Sequence, residues 1–199
     1  MQTFQAELRA DGLHVNGYVN VPGRRSHPVV TPRGRVIEVI EQRAFQDAID
    51  RAENINLMLD HERVIGSTKE NTLKLYEDDI GLRAETVITD EETIAGAKAG
   101  KLKGWSFGMK NVEDSMEERA NDLPIRHVKK FDMFEVTLAM RKRPVYSATS
   151  VEVRAEGEEE IEQRATEGEF SVVDMVETPK KHIDYSEFEN RINNLKSAQ

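Results

Sequence analysis

At 199 residues, with 38% hydrophobic and 33% charged side chains, the chain has the length for one core of roughly 100–150 residues plus polar appendages, and two full domains would be a tight fit. Cysteine is absent, which excludes disulfides, thiolate metal sites and a cysteine nucleophile, and leaves serine, threonine or a carboxylate for covalent chemistry. The net charge of -9 comes without a basic cluster suited to a phosphate backbone, and no apolar run approaches the ~18 residues of a membrane span, so a soluble, intracellular protein with no direct nucleic-acid and no membrane partner is expected.

The opening "TFQAELRADGLHVNGYVNVPG" alternates in short runs broken by Asp11-Gly12 and Pro22-Gly23, which predicts two strands, and "GRVIEVI" predicts a third. In "EQRAFQDAIDRAE" the period changes: Ala44, Phe45, Ala48 and Ile49 recur at helical spacing between charges, giving an amphipathic helix. "INLMLDHE" is compact and apolar, a buried strand ending at Asp60-His61. "TLKLYEDDIGLRAETVI" carries the clearest hairpin signal, and Thr89 with Glu92 forms a capping box for a short helix that Gly100 stops.

"GWSFGMK" follows as a strand, then a charged loop from Glu113 to Asp122, then the strands "IRHVKKFDM" and "FEVTLAM". About eight strands and two short helices without strict alternation suggest an α+β, mainly β fold: a closed or nearly closed β-barrel with a few short flanking helices. Residues 152–169 hold eight glutamates against two arginines and read as a solvated acidic linker. The folded domain is therefore drawn at residues 1–153, with 154–199 as linker and tail, in which "DYSEFENRINNLKSA" has the thin apolar stripe of a terminal helix.

Five histidines are present, His14, His27, His61, His127 and His182, and none pairs with another at zinc-site spacing, so no metal and no cofactor are expected. A serine hydroxyl attacks a carbonyl usefully when an imidazole takes its proton and a third group orients that imidazole. Only His61 and His127 lie in the predicted core near Ser106, which is flanked by Gly104 and Gly108. Glu135 sits among apolar residues in "FDMFEVTLAM", where a carboxylate implies a partner. Singly, each has a plain reading as a strand-end histidine, a packed serine or an edge carboxylate.

In order, they resemble the prohead proteases of tailed phages, serine peptidases of capsid maturation that share the herpesvirus assemblin fold. The resemblance rests on the stretch His61 to Gly66 after a strand, on Gly81-Leu82, on Gly100, Leu102, Gly104, Ser106 and Gly108 as G-x-L-x-G-x-S-x-G, and on Glu135-Val136-Thr137-Leu138. "NGYVNV" and "RAF" fit as well, so residues 13–150 are covered. The resemblance implies Ser106 as nucleophile, His61 as general base and Glu135 as the group that orients His61. The assemblins carry a second histidine there. It also places Arg141 and Arg143, in "RKR", where assemblins bind the oxyanion. "RKRPVYSAT" keeps Pro144 and Ala148 of the family's "PANP.A" but lacks its asparagine.

By the same resemblance the substrates are capsid precursor and scaffold proteins, the place of action is the assembling procapsid in the host cytoplasm, and the tail is an early self-processing target. A homo-oligomer is left open. The competing reading from another class is a non-catalytic capsid-assembly protein on the same barrel.

Overall fold

The structure, a computed structural model, describes residues 2–31, 33–140 and 161–175, with the backbone alone for 2–4 and 165–169. Among these are eleven strands and two helices. They are β1 (Gln2–Arg9), β2 (Gly12–Asn20), β3 (Val29–Thr31), β4 (Gly34–Ile40), α1 (Ala44–Arg51), β5 (Asn56–Leu59), β6 (Arg63–Ser67), β7 (Leu73–Glu77), β8 (Leu82–Ile88), α2 (Glu91–Lys98), β9 (Gly104–Glu117), β10 (Ile125–Ala139) and β11 (Glu162–Asp174).

The strands join in the order β3-β4-β10-β9-β11-β1-β2-β8-β7, with β5 against β10 and β6 against β5. The fold is mainly β, as the alternating runs predict. Its outermost strands, β3 and β7, do not pair with each other, so no closed barrel forms among the described residues. Period-2 burial drives the pairing: Leu13, Val15 and Val19 of β2 and Leu82, Ala84 and Ile88 of β8 turn one face inward. Phe45 of α1 meets Phe107 edge-on at 5.0 Å and Phe131 at 5.3 Å, which pins the helix on the β9–β10 pair.

Helix α1 lies between β4 and β5, which lie parallel to β10 at Ile125–Val128 and Glu135–Leu138. No side chain of its own caps it; the Glu77 carboxylate accepts from Arg43 N at 2.6 Å and Gln46 N at 3.0 Å instead. The α2 cap is Asp90, accepting from Thr93 N at 2.8 Å, one residue later than the Thr89 box predicts, and Arg63 binds the same carboxylate.

Three further expectations change. The segment Glu113–Glu117, expected in a charged loop, extends β9, and the two strands expected over residues 125–140 are one long β10 with register shifts at Val128/Lys130, Lys130/Asp132 and Met133/Glu135. The shifts let one strand change its exposed face, which blurs the alternation that a sequence shows. Residues 162–169 of the expected solvated linker belong to β11, which runs antiparallel to β9 and parallel to β1. Glu162 and Arg164 are buried there as ion pairs, and Phe170 and Val172 pack on the core, so a mean composition hides a buried strand. The rest of the linker, 152–160, the proposed terminal helix, and Arg141 and Arg143 lie outside the described residues.

Candidate active site

β9 is buried on both faces from Gly104 to Met109. Trp105, Phe107 and Met109 enter the core, so Ser106 and Gly108 face the opposite way. On β10, Thr137 is the cross-strand partner of Ser106, and Glu135 that of Gly108, so the four share one face. A Cβ on Gly108 would stand 2.5 Å from Phe134 Cζ and 2.8 Å from Glu135 Cγ and Oε1. That glycine is the room in which the Glu135 side chain lies.

His61 arrives from the β5–β6 hairpin. Asp60 and His61 both adopt positive φ, 52° and 61°, and Glu62 N donates to Leu59 O at 3.0 Å, closing a tight turn of the kind that suits a twisted hairpin. Two consecutive left-handed residues without glycine are strained, and such strain persists only where the surroundings hold it. The buried Asp60 supplies that hold: its N–H donates to Leu138 O at 3.0 Å and its carboxylate accepts from Met140 N at 2.7 Å, tying the turn to the end of β10.

The imidazole so presented sets Nδ1 2.6 Å from Glu135 Oε1 and 3.2 Å from Thr137 Oγ1. Glu135 is 2% exposed, and the contact provides the partner that a buried carboxylate needs. Of the candidates raised by the sequence, His61 and Glu135 thus meet directly. His127 does not join them; it lies between Glu41 at 3.0 Å and Glu117 at 3.1 Å, and its bonds to Glu117 and Glu41 raise its pKa, against a smaller opposing effect of burial.

Ser106 is on the same face but engaged elsewhere. It is 2% exposed, and its hydroxyl donates to the carbonyl of Arg164 on β11 at 2.9 Å, with no hydrogen bond to His61. The next strand also touches the acid: Gln163 Nε2 donates to Glu135 Oε1 at 3.3 Å. Asp60, Thr137 and Gln163 are the site contacts that sequence reasoning did not single out. Thr137, two residues from Glu135 on one strand, carried a signal in its period; Gln163 carried none.

The comparison that decides the family is a match of the model for the caudovirus prohead serine protease to residues 2–164. The chain belongs to that family. No curated protein and no solved structure matches it. The prohead protease family is one of serine peptidases acting in phage capsid maturation, and its model takes in Ser106, His61 and Glu135 and stops at Arg164. Among the described residues no helix is long and apolar enough to cross a membrane.

Proposed function

We propose that this prohead protease is an endopeptidase working through Ser106, His61 and Glu135, with capsid precursor and scaffold proteins as substrates inside the assembling procapsid. The observation that carries the reading is the 2.6 Å contact of His61 Nδ1 with buried Glu135, on the sheet face that also holds Ser106. Glu135 accepts a hydrogen bond from Nδ1–H, which fixes the tautomer and leaves Nε2 to act as base. The Ser106 oxygen, turned from Arg164 to the imidazole, attacks the scissile carbonyl carbon while Nε2 takes its proton. Collapse of the tetrahedral adduct breaks the C–N bond, the amine leaves with that proton, and water then hydrolyses the acyl-enzyme by the same base.

Arg141 and Arg143 are proposed as the oxyanion-binding cations, and the chain's own C-terminal segment as an early substrate. The buried, engaged state of Ser106 favours one alternative, a capsid-assembly protein without catalysis. Incubating the purified chain with its cognate capsid precursor and scaffold, and mapping new termini by mass spectrometry, separates the two. Cleavage that Ser106→Ala abolishes supports the peptidase; identical cleavage by Ser106→Ala, or none by the wild type, removes it.

A further inference from the structure

Ser106 sits on a strand with β10 on one side, so an extended chain that is to pass its hydroxyl must add to the other. β11 occupies that edge: Glu162–Glu167 run antiparallel to Gly104–Met109, with Arg164 opposite Phe107 and Ala165 opposite Ser106. The Ser106 hydroxyl reaches the Arg164 carbonyl, so the peptide group at the candidate nucleophile is the one joining Arg164 to Ala165. This is how an added strand is held, by main-chain bonds, with alternate side chains left to be read.

The side chain of Arg164 is read by Glu38. Arg164 Nε donates to Glu38 Oε1 at 2.6 Å and Nη2 to Glu38 Oε2 at 2.8 Å, a two-pronged pair in which Glu38 is 3% and Arg164 4% exposed. On the same face Glu162 is bound by Arg126, through Nη1 at 2.5 Å and Nη2 at 2.7 Å, and Arg164 also touches Glu162. Glu38 and Arg126 belong to β4 and β10 and are held without β11: Arg126 Nη1 lies 3.1 Å from Glu38, and Arg126 Nε 2.5 Å from Asp114, which Arg33 also binds. The fixed part of the fold therefore presents a buried carboxylate and a buried guanidinium to whatever strand lies on β9.

We infer that Glu38 is a specificity residue of this protease, selecting extended substrates with a basic residue immediately before the cleaved bond, and that Arg126 favours an acidic residue two positions earlier, β11 being the resident copy of that pattern. The inference rests on the peptidase reading. A strand with a neutral residue at the Arg164 position leaves Glu38 buried with half its partners, and sites built on buried polar pairing reject the unpaired analogue far more strongly than apolar pockets reject a missing methylene. Charged partners on the strand are needed, so strands lacking them are excluded as well as matching ones bound.

The test uses the full chain and peptides with the sequence of residues 158–170, carrying at the Arg164 position arginine, its neutral isostere citrulline, or glutamine. The expected result is a kcat/KM for the arginine peptide ~10² or more above that for citrulline and glutamine. In Glu38→Gln that ratio should fall to within about threefold of unity, and a ratio within one preparation does not depend on how much of it is folded. If Glu38→Gln does not fold, the wild-type ratio of arginine to citrulline decides alone. Cleavage of all three peptides at similar rates, or an unchanged ratio in Glu38→Gln, overturns the role of Glu38 and leaves the peptidase standing. Cleavage of neither the peptides nor the capsid precursor removes the peptidase reading and this inference with it.

Discussion

Replacing Gly108 by alanine places one methyl group at a crowded point of the site. Ordinary contact begins near 3.4 Å, whereas the new Cβ would meet Phe134 Cζ at 2.5 Å and Glu135 Cγ and Oε1 at 2.8 Å. Phe134 is only half-buried and its ring tip can turn aside. Glu135 cannot retreat as freely, because the oxygen that must move is the one 2.6 Å from His61 Nδ1. A shift of roughly half an ångström stretches that contact, and since a misplacement of about 1 Å can cost ~10²-fold, the expected fall in single-turnover rate is ~10- to 100-fold. Overpacking adds a stability loss of ~1–3 kcal/mol. The control is Gly100→Ala: its φ of +66° is unfavourable to alanine but no atom lies within 4 Å, so it should lower the melting temperature and leave the rate alone. The assay is single-turnover cleavage of the capsid precursor with thermal unfolding in parallel. Wild-type turnover by folded Gly108→Ala would refute the reasoning, since Glu135 would then not need the place that the glycine makes for it.

Glu135→Gln should lower the rate by up to ~10⁴-fold while His127→Gln changes it little, and the reverse ranking would transfer the third role to His127. Asp90→Ala removes the α2 cap and a partner of Arg63, for an expected loss of ~1 kcal/mol in denaturant unfolding; no change would show that the cap is replaced by Glu91 or Glu92. Burial opposes ionisation of Glu162, yet Arg126 and Arg164 hold its carboxyl below the usual range. Its contribution is therefore complete above the ordinary glutamate value of about 4.3 and is lost as pH falls through the lower folded value, so below about pH 4 the amides of β11 should lose hydrogen-exchange protection before those of β2 and β8. Equal loss in all three strands would count against it. On storage the active chain should accumulate a form shortened near Arg164, and Ser106→Ala should remain full length by intact mass; equal trimming of both would indicate a contaminating protease.

The hairpin of β7 and β8, the amphipathic α1 and the two opening strands were legible because each buries one face and its period survives in the letters. The meeting of His61 with Glu135 was legible only through the order of motifs, as residues 74 positions apart share no local signal. What could not be read was where charge is buried. Glu162 and Arg164 look like solvated residues until Arg126 and Glu38 are placed against them, and those partners come from β10 and β4. The strand was missed because ion pairing replaces apolar alternation as the reason for its burial. The Asp60 anchor was missed because its partner, Met140 N, is 80 positions away and is set against it only by folding.

The place of β11 also bears on how the chain reaches this state. Among the described residues, β9 and β1 are linked in the ladder only through it, with Gln2 beside Gly168. β1 is made long before β11, so its edge waits through that interval before β11 covers it, and pairings so distant in sequence are slow to form. At ~5–20 residues per second that interval is on the order of ten seconds or more, during which β1 exposes an open edge. A nascent chain of this protein has reason to engage a chaperone, or a second nascent copy, at β1.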